Sequence, residues 1–123
     1  MARRIALVLV LLVVLSSCDV LPGGGAPVQE VSFTVAPGAK HTIAVDLREG
    51  HTVSGNFSVS GKENFIDFYI KDPNGGLAFG SERAQGSLAF LAEAETSGIH
   101  TLYFDNSFSF GSPRDITLRY TVR

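Results

Sequence analysis

From Val28 to the C-terminus, apolar side chains recur at every second position rather than every third or fourth. Val31, Phe33 and Val35 alternate with Ser32 and Thr34, and Ile43, Val45 and Leu47 with Thr42, Ala44 and Asp46. Val53, Gly55, Phe57 and Val59 come next, followed by Ile66, Phe68 and Ile70 between Asp67, Tyr69 and Lys71. Successive side chains of a strand point to opposite faces, so this period predicts strands with one buried face. Leu77 to Phe79 is a short strand candidate; Leu88, Phe90 and Ala92, then His100, Leu102 and Phe104, extend the series. Ile116, Leu118, Tyr120 and Val122 alternate with Thr117, Arg119 and Thr121 and close it with the cleanest pattern of all.

Turn chemistry falls between these runs. Pro37-Gly38, Arg48-Glu49-Gly50, Asp72-Pro73-Asn74-Gly75 and Ser97-Gly98 each combine residues that preset or tolerate turn dihedrals. The Ala/Glu-rich stretch from Leu88 to Glu95 could alternatively form two helical turns. About eight short antiparallel strands each leave an apolar face, and two sheets cover one another's. The predicted fold is therefore all-β, an antiparallel two-sheet sandwich of jelly-roll type.

Upstream the pattern changes. Arg3 and Arg4 precede an apolar run from Ile5 to Leu15, and Leu15-Ser16-Ser17-Cys18 follows. A bilayer-spanning helix needs roughly 20 apolar residues, and this run is shorter. Basic, apolar, then small residues is the layout of a secretory signal helix. With cysteine after the small residues, the segment resembles a bacterial lipobox. That resemblance implies removal of residues 1–17 and lipid on Cys18. An uncleaved short anchor and a free exposed thiol at Cys18 are the alternatives. Residues 18–27 carry Pro22, Gly23, Gly24, Gly25 and Pro27 and read as a flexible tether. Asp19 is either a sorting residue or an ordinary linker residue. Residues 28–123 make one domain. The expected location is exported and lipid-anchored to a cell membrane, the domain facing the periplasm or the cell exterior.

Charge and cysteine content narrow the possibilities. The chain has formal net charge −2 from 10 basic and 12 acidic side chains, and loss of Arg3 and Arg4 makes the mature domain more acidic. The remaining lysines and arginines are scattered, whereas nucleic acid binding relies on clustered cations; no nucleic acid partner is expected. Cys18 is the only cysteine, so no intramolecular disulfide can form and the fold must rest on packing and hydrogen bonds.

Reactive chemistry is sparse. His41, His51 and His100 are the only histidines. His41 and His51 flank the second strand and are expected at solvated strand ends; His100 shares the phase of buried residues and is expected half-buried. No metal site, cofactor or catalytic residue is expected, because no ligand spacing or nucleophile elbow is present. Asp105, Asn106 and Ser107 are short polar residues that either cap backbone groups as a strand ends or offer hard oxygens to calcium. Phe108 and Phe110 lie in Phe108-Ser109-Phe110-Gly111-Ser112-Pro113, an aromatic loop that either contacts a partner or folds back on the sandwich end. Phe108, Phe110, Asp105 and Asn106 are the candidate binding residues. Tyr69 and Tyr103, on outward positions, either join a contact surface or form a cross-strand pair.

The stretch from Ser97-Gly98-Ile99-His100 through Leu102-Tyr103-Phe104-Asp105-Asn106-Ser107-Phe108 resembles a GOLD (Golgi-dynamics) domain, with Arg114 to Tyr120 standing where that family has its final strand. Val53 to Phe57 and Ile66 to Ile70 are similar to the family's middle strands. The resemblance implies a GOLD-like β-sandwich with a non-catalytic role in protein interaction. Unlike lumenal eukaryotic members, this domain has no cysteine pair. The expected function is a membrane-anchored interaction or accessory module meeting an envelope protein; the alternative is a carbohydrate-binding module meeting a glycan.

Overall fold

The computed structural model describes residues 26–123, which form eight strands without a helix. They are β1 (Gln29–Val35), β2 (Lys40–Leu47), β3 (Thr52–Ser60), β4 (Phe65–Lys71), β5 (Leu77–Gln85), β6 (Ser87–Glu93), β7 (Gly98–Asp105) and β8 (Arg114–Val122). Two four-stranded sheets result, in the orders β1-β8-β3-β6 and β2-β7-β4-β5, with every pairing antiparallel. Residues 1–25, with the expected signal segment, Cys18 and nearly all of the expected tether, lie outside the described residues.

Alternation explains every element but the second half of β5. In β4, Ile66, Phe68 and Ile70 are fully buried while Phe65, Asp67, Tyr69 and Lys71 are only partly covered. Phe57 of one sheet meets Phe68 and Phe104 of the other, with ring centroids 4.9 and 5.1 Å apart. Phe90 and Phe33 reach the same cluster from the first sheet, at 5.0 Å from Phe68 and 5.1 Å from Phe104. Tilted and edge-on aromatic contacts of this kind add to plain area burial.

The strand expected at Leu88, Phe90 and Ala92 forms as β6, and the helical alternative does not, because Phe90 and Ala92 must face the core on the same side. Three local outcomes differ from the sequence expectation. β5 runs well past Phe79, to Gln85, although Gly80 to Arg83 show no apolar alternation. A register shift between Ile66 and Phe68 accommodates the extra residues there. It is a bulge stabilised by Asp67, whose Oδ1 accepts a hydrogen bond from the Arg83 backbone N–H at 2.7 Å, with Arg83 at φ 52°. His100 is fully buried rather than half-buried, and His41 is partly covered by Phe33, on which it stacks at 3.9 Å.

The connections define two ends. The β1–β2, β3–β4, β5–β6 and β7–β8 links gather at one end, where Gly38 N–H donates to Asn106 O and Gly86 N–H to Asn64 O. The β2–β3, β4–β5 and β6–β7 links gather at the other, together with the start of β1 and the end of β8. The chain enters β1 at this second end, with Ala26 and Pro27 carbonyls accepting from the Thr121 hydroxyl at 3.3 and 3.1 Å.

Candidate functional site

The β7–β8 loop at the first end is rigid by construction. Asn106 is fully buried, and its Nδ2 donates to Val35 O, Ala36 O and Ser112 O at 3.2, 3.2 and 3.0 Å. Its backbone N–H donates to Ala39 O, while its own carbonyl accepts from Gly38 and Ser109. The Ser109 hydroxyl donates to Ser112 O at 3.2 Å. Asn106 therefore ties two loops together and has no surface to offer a ligand, which removes it from the candidate binding residues. Asp105 is also engaged locally: Oδ1 accepts from Ser107 N–H at 2.8 Å and Oδ2 from the Tyr69 hydroxyl at 3.3 Å. Partial burial would raise the Asp105 carboxyl, but hydrogen bonds from Ser107, the nearby Lys40 ammonium and Tyr69 outweigh it and leave the group below its ordinary range. Burial, and then Asp105, push the Tyr69 phenol up.

Arg114 is the floor of this end. Its side chain has 0% exposure, yet every part of the guanidinium is met. Nε donates to Phe65 O at 2.7 Å, Nη1 to Ser112 O and Oγ at 2.8 and 2.7 Å, and Nη2 to Glu63 Oε1 at 3.0 Å. A buried charge is tolerable only with such complete pairing. The aromatic rings stack above it. Phe65 and Phe108 lie parallel at 5.6 Å, the Arg114 guanidinium is 5.0 Å from Phe65, and the Arg83 guanidinium covers Phe108 at 3.7 Å. Arg83 is itself fixed by Nη1, which donates to both Asp67 carboxylate oxygens at 2.8 and 2.7 Å.

The two candidate phenylalanines thus separate. Phe108 is clamped between Arg83 and Phe65, whereas Phe110 is 99% exposed at the tip of the braced loop. Lys62, Phe65, Phe108 and Phe110 border an open groove of about 400 Å³ beside it. Tyr69 and Tyr103 stack on each other at 4.8 Å on the outer face of the second sheet, with Lys71 within 5.7 Å of both rings. Among the described residues, no group of three or more His, Cys, Asp and Glu side chains is placed to hold a metal ion. The arrangement at the loop end is one projecting aromatic ring on a fixed base.

Arg114, Glu63, Phe65 and Arg83 have no place in the sequence-level site. Arg114 could have been found, because it shares the phase of Ile116 and Leu118 and so must point inward. Arg83 carries no such signal; only the bulge brings it over Phe108.

Residues 30–123 match the family model described as emp24/gp25L/p24 family/GOLD. Among solved structures, the chain is similar to PliG from Aeromonas hydrophila, a periplasmic inhibitor of g-type lysozyme. The TM-score is 0.53 at 11% identity, covering 85% of this chain and 93% of that one. That likeness is one of fold. A structure from Bacillus endospore appendages, a family of disulfide-linked pili, aligns with TM-score 0.41 at 13% identity over 86% of this chain and 98% of that one. None of the curated proteins compared matches the chain.

Proposed function

The chain belongs to the emp24/gp25L/p24 GOLD family, and from that premise we propose that it is a lipid-anchored, exported interaction module whose contact element is the β7–β8 loop. The observation that carries this reading is Phe110, 99% exposed on a loop fixed from below by Asn106 and Arg114. An ordered aromatic side chain loses little freedom on contact and buries a large apolar area, so it suits a binding anchor. PliG supplies an instance of a similar sandwich that acts on another protein, though the likeness brings no target with it.

The direction of the chain supports the same reading. β1 starts at the end opposite the aromatic loop and climbs seven residues toward it, about 20 Å at the rise of a strand. A tether on the N-terminal side of residue 28 leaves that starting end nearest the membrane and points Phe110 away from it. Lipid on Cys18 gives the anchor, since two or more acyl chains hold a protein firmly at a bilayer.

Photocross-linking tests the contact element. A photoreactive phenylalanine analogue at position 110 is expected to give a discrete adduct in intact cells, while the same group at exposed Leu91 is not. Absence of any adduct from position 110 sinks the proposal. A glycan partner would instead appear as specific signals on a glycan array; the mutual stacking of Tyr69 and Tyr103, which covers one face of each ring, argues against a sugar platform there.

A further inference from the structure

Among the described residues, every one with a positive φ is a glycine except Arg83, at φ 52°. A left-handed backbone brings Cβ too close to the following carbonyl oxygen, so arginine carries a steric cost there that glycine escapes. Bulges that need this conformation ordinarily take glycine for that reason. The position is tightly determined all the same. The Arg83 N–H donates to Asp67 Oδ1 at 2.7 Å, where the β4–β5 register shifts between Ile66 and Phe68. Strained residues persist only where their surroundings over-determine them, and they gather at functional sites.

What arginine adds over glycine is one side chain aimed in one direction. Nη1 donates to both Asp67 carboxylate oxygens at 2.8 and 2.7 Å, and the guanidinium lies 3.7 Å from the centre of the Phe108 ring. Net stability gives no reason for it. The Arg83 side chain is 50% exposed, and ion pairs and cation–aromatic contacts open to water contribute little. The consequence falls on Phe108. Its ring lies 5.6 Å from Phe65 and within 13° of parallel, and the guanidinium covers it. Phe108 is two positions from Phe110, and Ser109 between them bonds to Asn106 O and Ser112 O. The loop is thus fixed at Ser109 by buried hydrogen bonds and at Phe108 by the guanidinium.

Taking Phe110 as the contact element, as above, we propose that Arg83 is its positioning residue. The guanidinium pins Phe108 on Phe65 and so holds Phe110 in one pose; the left-handed bulge is what aims the guanidinium there. A loop already in its bound pose has less freedom to lose on contact, so removing the guanidinium weakens binding without touching the core.

Arg83→Gly and Arg83→Asn test this in the full chain. Glycine and asparagine both accept the left-handed backbone, and neither carries a guanidinium. In detergent micelles, melting temperatures are expected within about 5 °C of the native chain. 4-Fluorophenylalanine at position 108 reports the ring, and its ¹⁹F resonance is expected to move toward that of the free amino acid in both variants. The photoreactive analogue at position 110 is expected to give adducts in intact cells at about one-fifth of the native yield. Asp67→Asn leaves one oxygen to Arg83 in place of two, and both readouts are expected to move the same way by less. A native adduct that neither Arg83 variant reduces overturns the positioning role and leaves the contact reading standing; no adduct from the native chain takes both down. An unmoved ¹⁹F resonance also overturns it. So does a loss of yield that comes only with a matching fall in melting temperature, because that is a structural role.

Discussion

Arg114 Nη2 and Glu63 Oε1 lie 3.0 Å apart, the guanidinium wholly buried and the carboxylate 52% exposed. The pair is therefore unequal. Removing Glu63 leaves Arg114 with three backbone and hydroxyl acceptors, whereas removing Arg114 strips the loop of its floor. Arg114→Ala is expected to cost about 3 kcal/mol of stability and Glu63→Gln about 1 kcal/mol or less. Urea denaturation of both variants checks this; equal losses would contradict the asymmetry.

Asn106 offers a second measurement. Asn106→Ala removes the donor shared by Val35 O, Ala36 O and Ser112 O and is expected to destabilise by about 2 kcal/mol. Asn106→Asp is expected to be worse, because a carboxylate would face three carbonyl oxygens in a site without exposure. A melting temperature for Asn106→Asp at or above that of Asn106→Ala would show that these bonds do not brace the loop.

Phe110 behaves in the opposite way. Its exposed ring makes no contribution to the core, so Phe110→Ala is expected to change stability by no more than about 0.5 kcal/mol. The same variant is expected to lose partner binding. Unfolding curves and cross-linking yield, measured on one preparation, separate the two effects.

Gly55 marks a backbone contact between β3 and β8. A Cβ there would stand 2.0 Å from Arg119 O and 2.7 Å from Tyr120 Cα, both main-chain atoms of the neighbouring strand. Gly55→Ala is expected to destabilise by at least about 3 kcal/mol, because the strands would have to separate. Gly38→Ala, at φ 78° with open space around it, is expected to lose only about 1 kcal/mol. Chemical denaturation of the two variants side by side tests the contrast.

Asp105 gives the pH dependence. Its folded carboxyl lies below the ordinary value of 3.8, so the folded state binds that proton more weakly than the unfolded chain does. The resulting stability is present above pH 3.8 and is lost as pH falls through the lower folded value. The difference in unfolding free energy between the native chain and Asp105→Asn is expected to be flat from roughly pH 5 to 7 and to close in acid. Tyr69 acts at the other extreme: its raised phenol favours the folded state below pH 10 and ceases to do so as pH climbs further.

Period-two alternation in the sequence was enough to place the β-strands, apart from the second half of β5, and to assign Phe57, Phe68, Phe104, Leu102 and Leu118 to the core, because strand geometry sends every second side chain to one face whatever the partner strand is. The same rule, extended one position before Ile116, would also have placed Arg114 inward. The register of eight strands, the bulge at Arg83 and the position of each loop depended on which strands became neighbours. Only that tertiary choice brought Arg83 over Phe108, buried Asn106 under Ser112 and left Phe110 in water. Arg83 with Phe108 and Asn106 with Val35 join segments far apart in the chain, and a local pattern carries no information about which distant segment will lie alongside it.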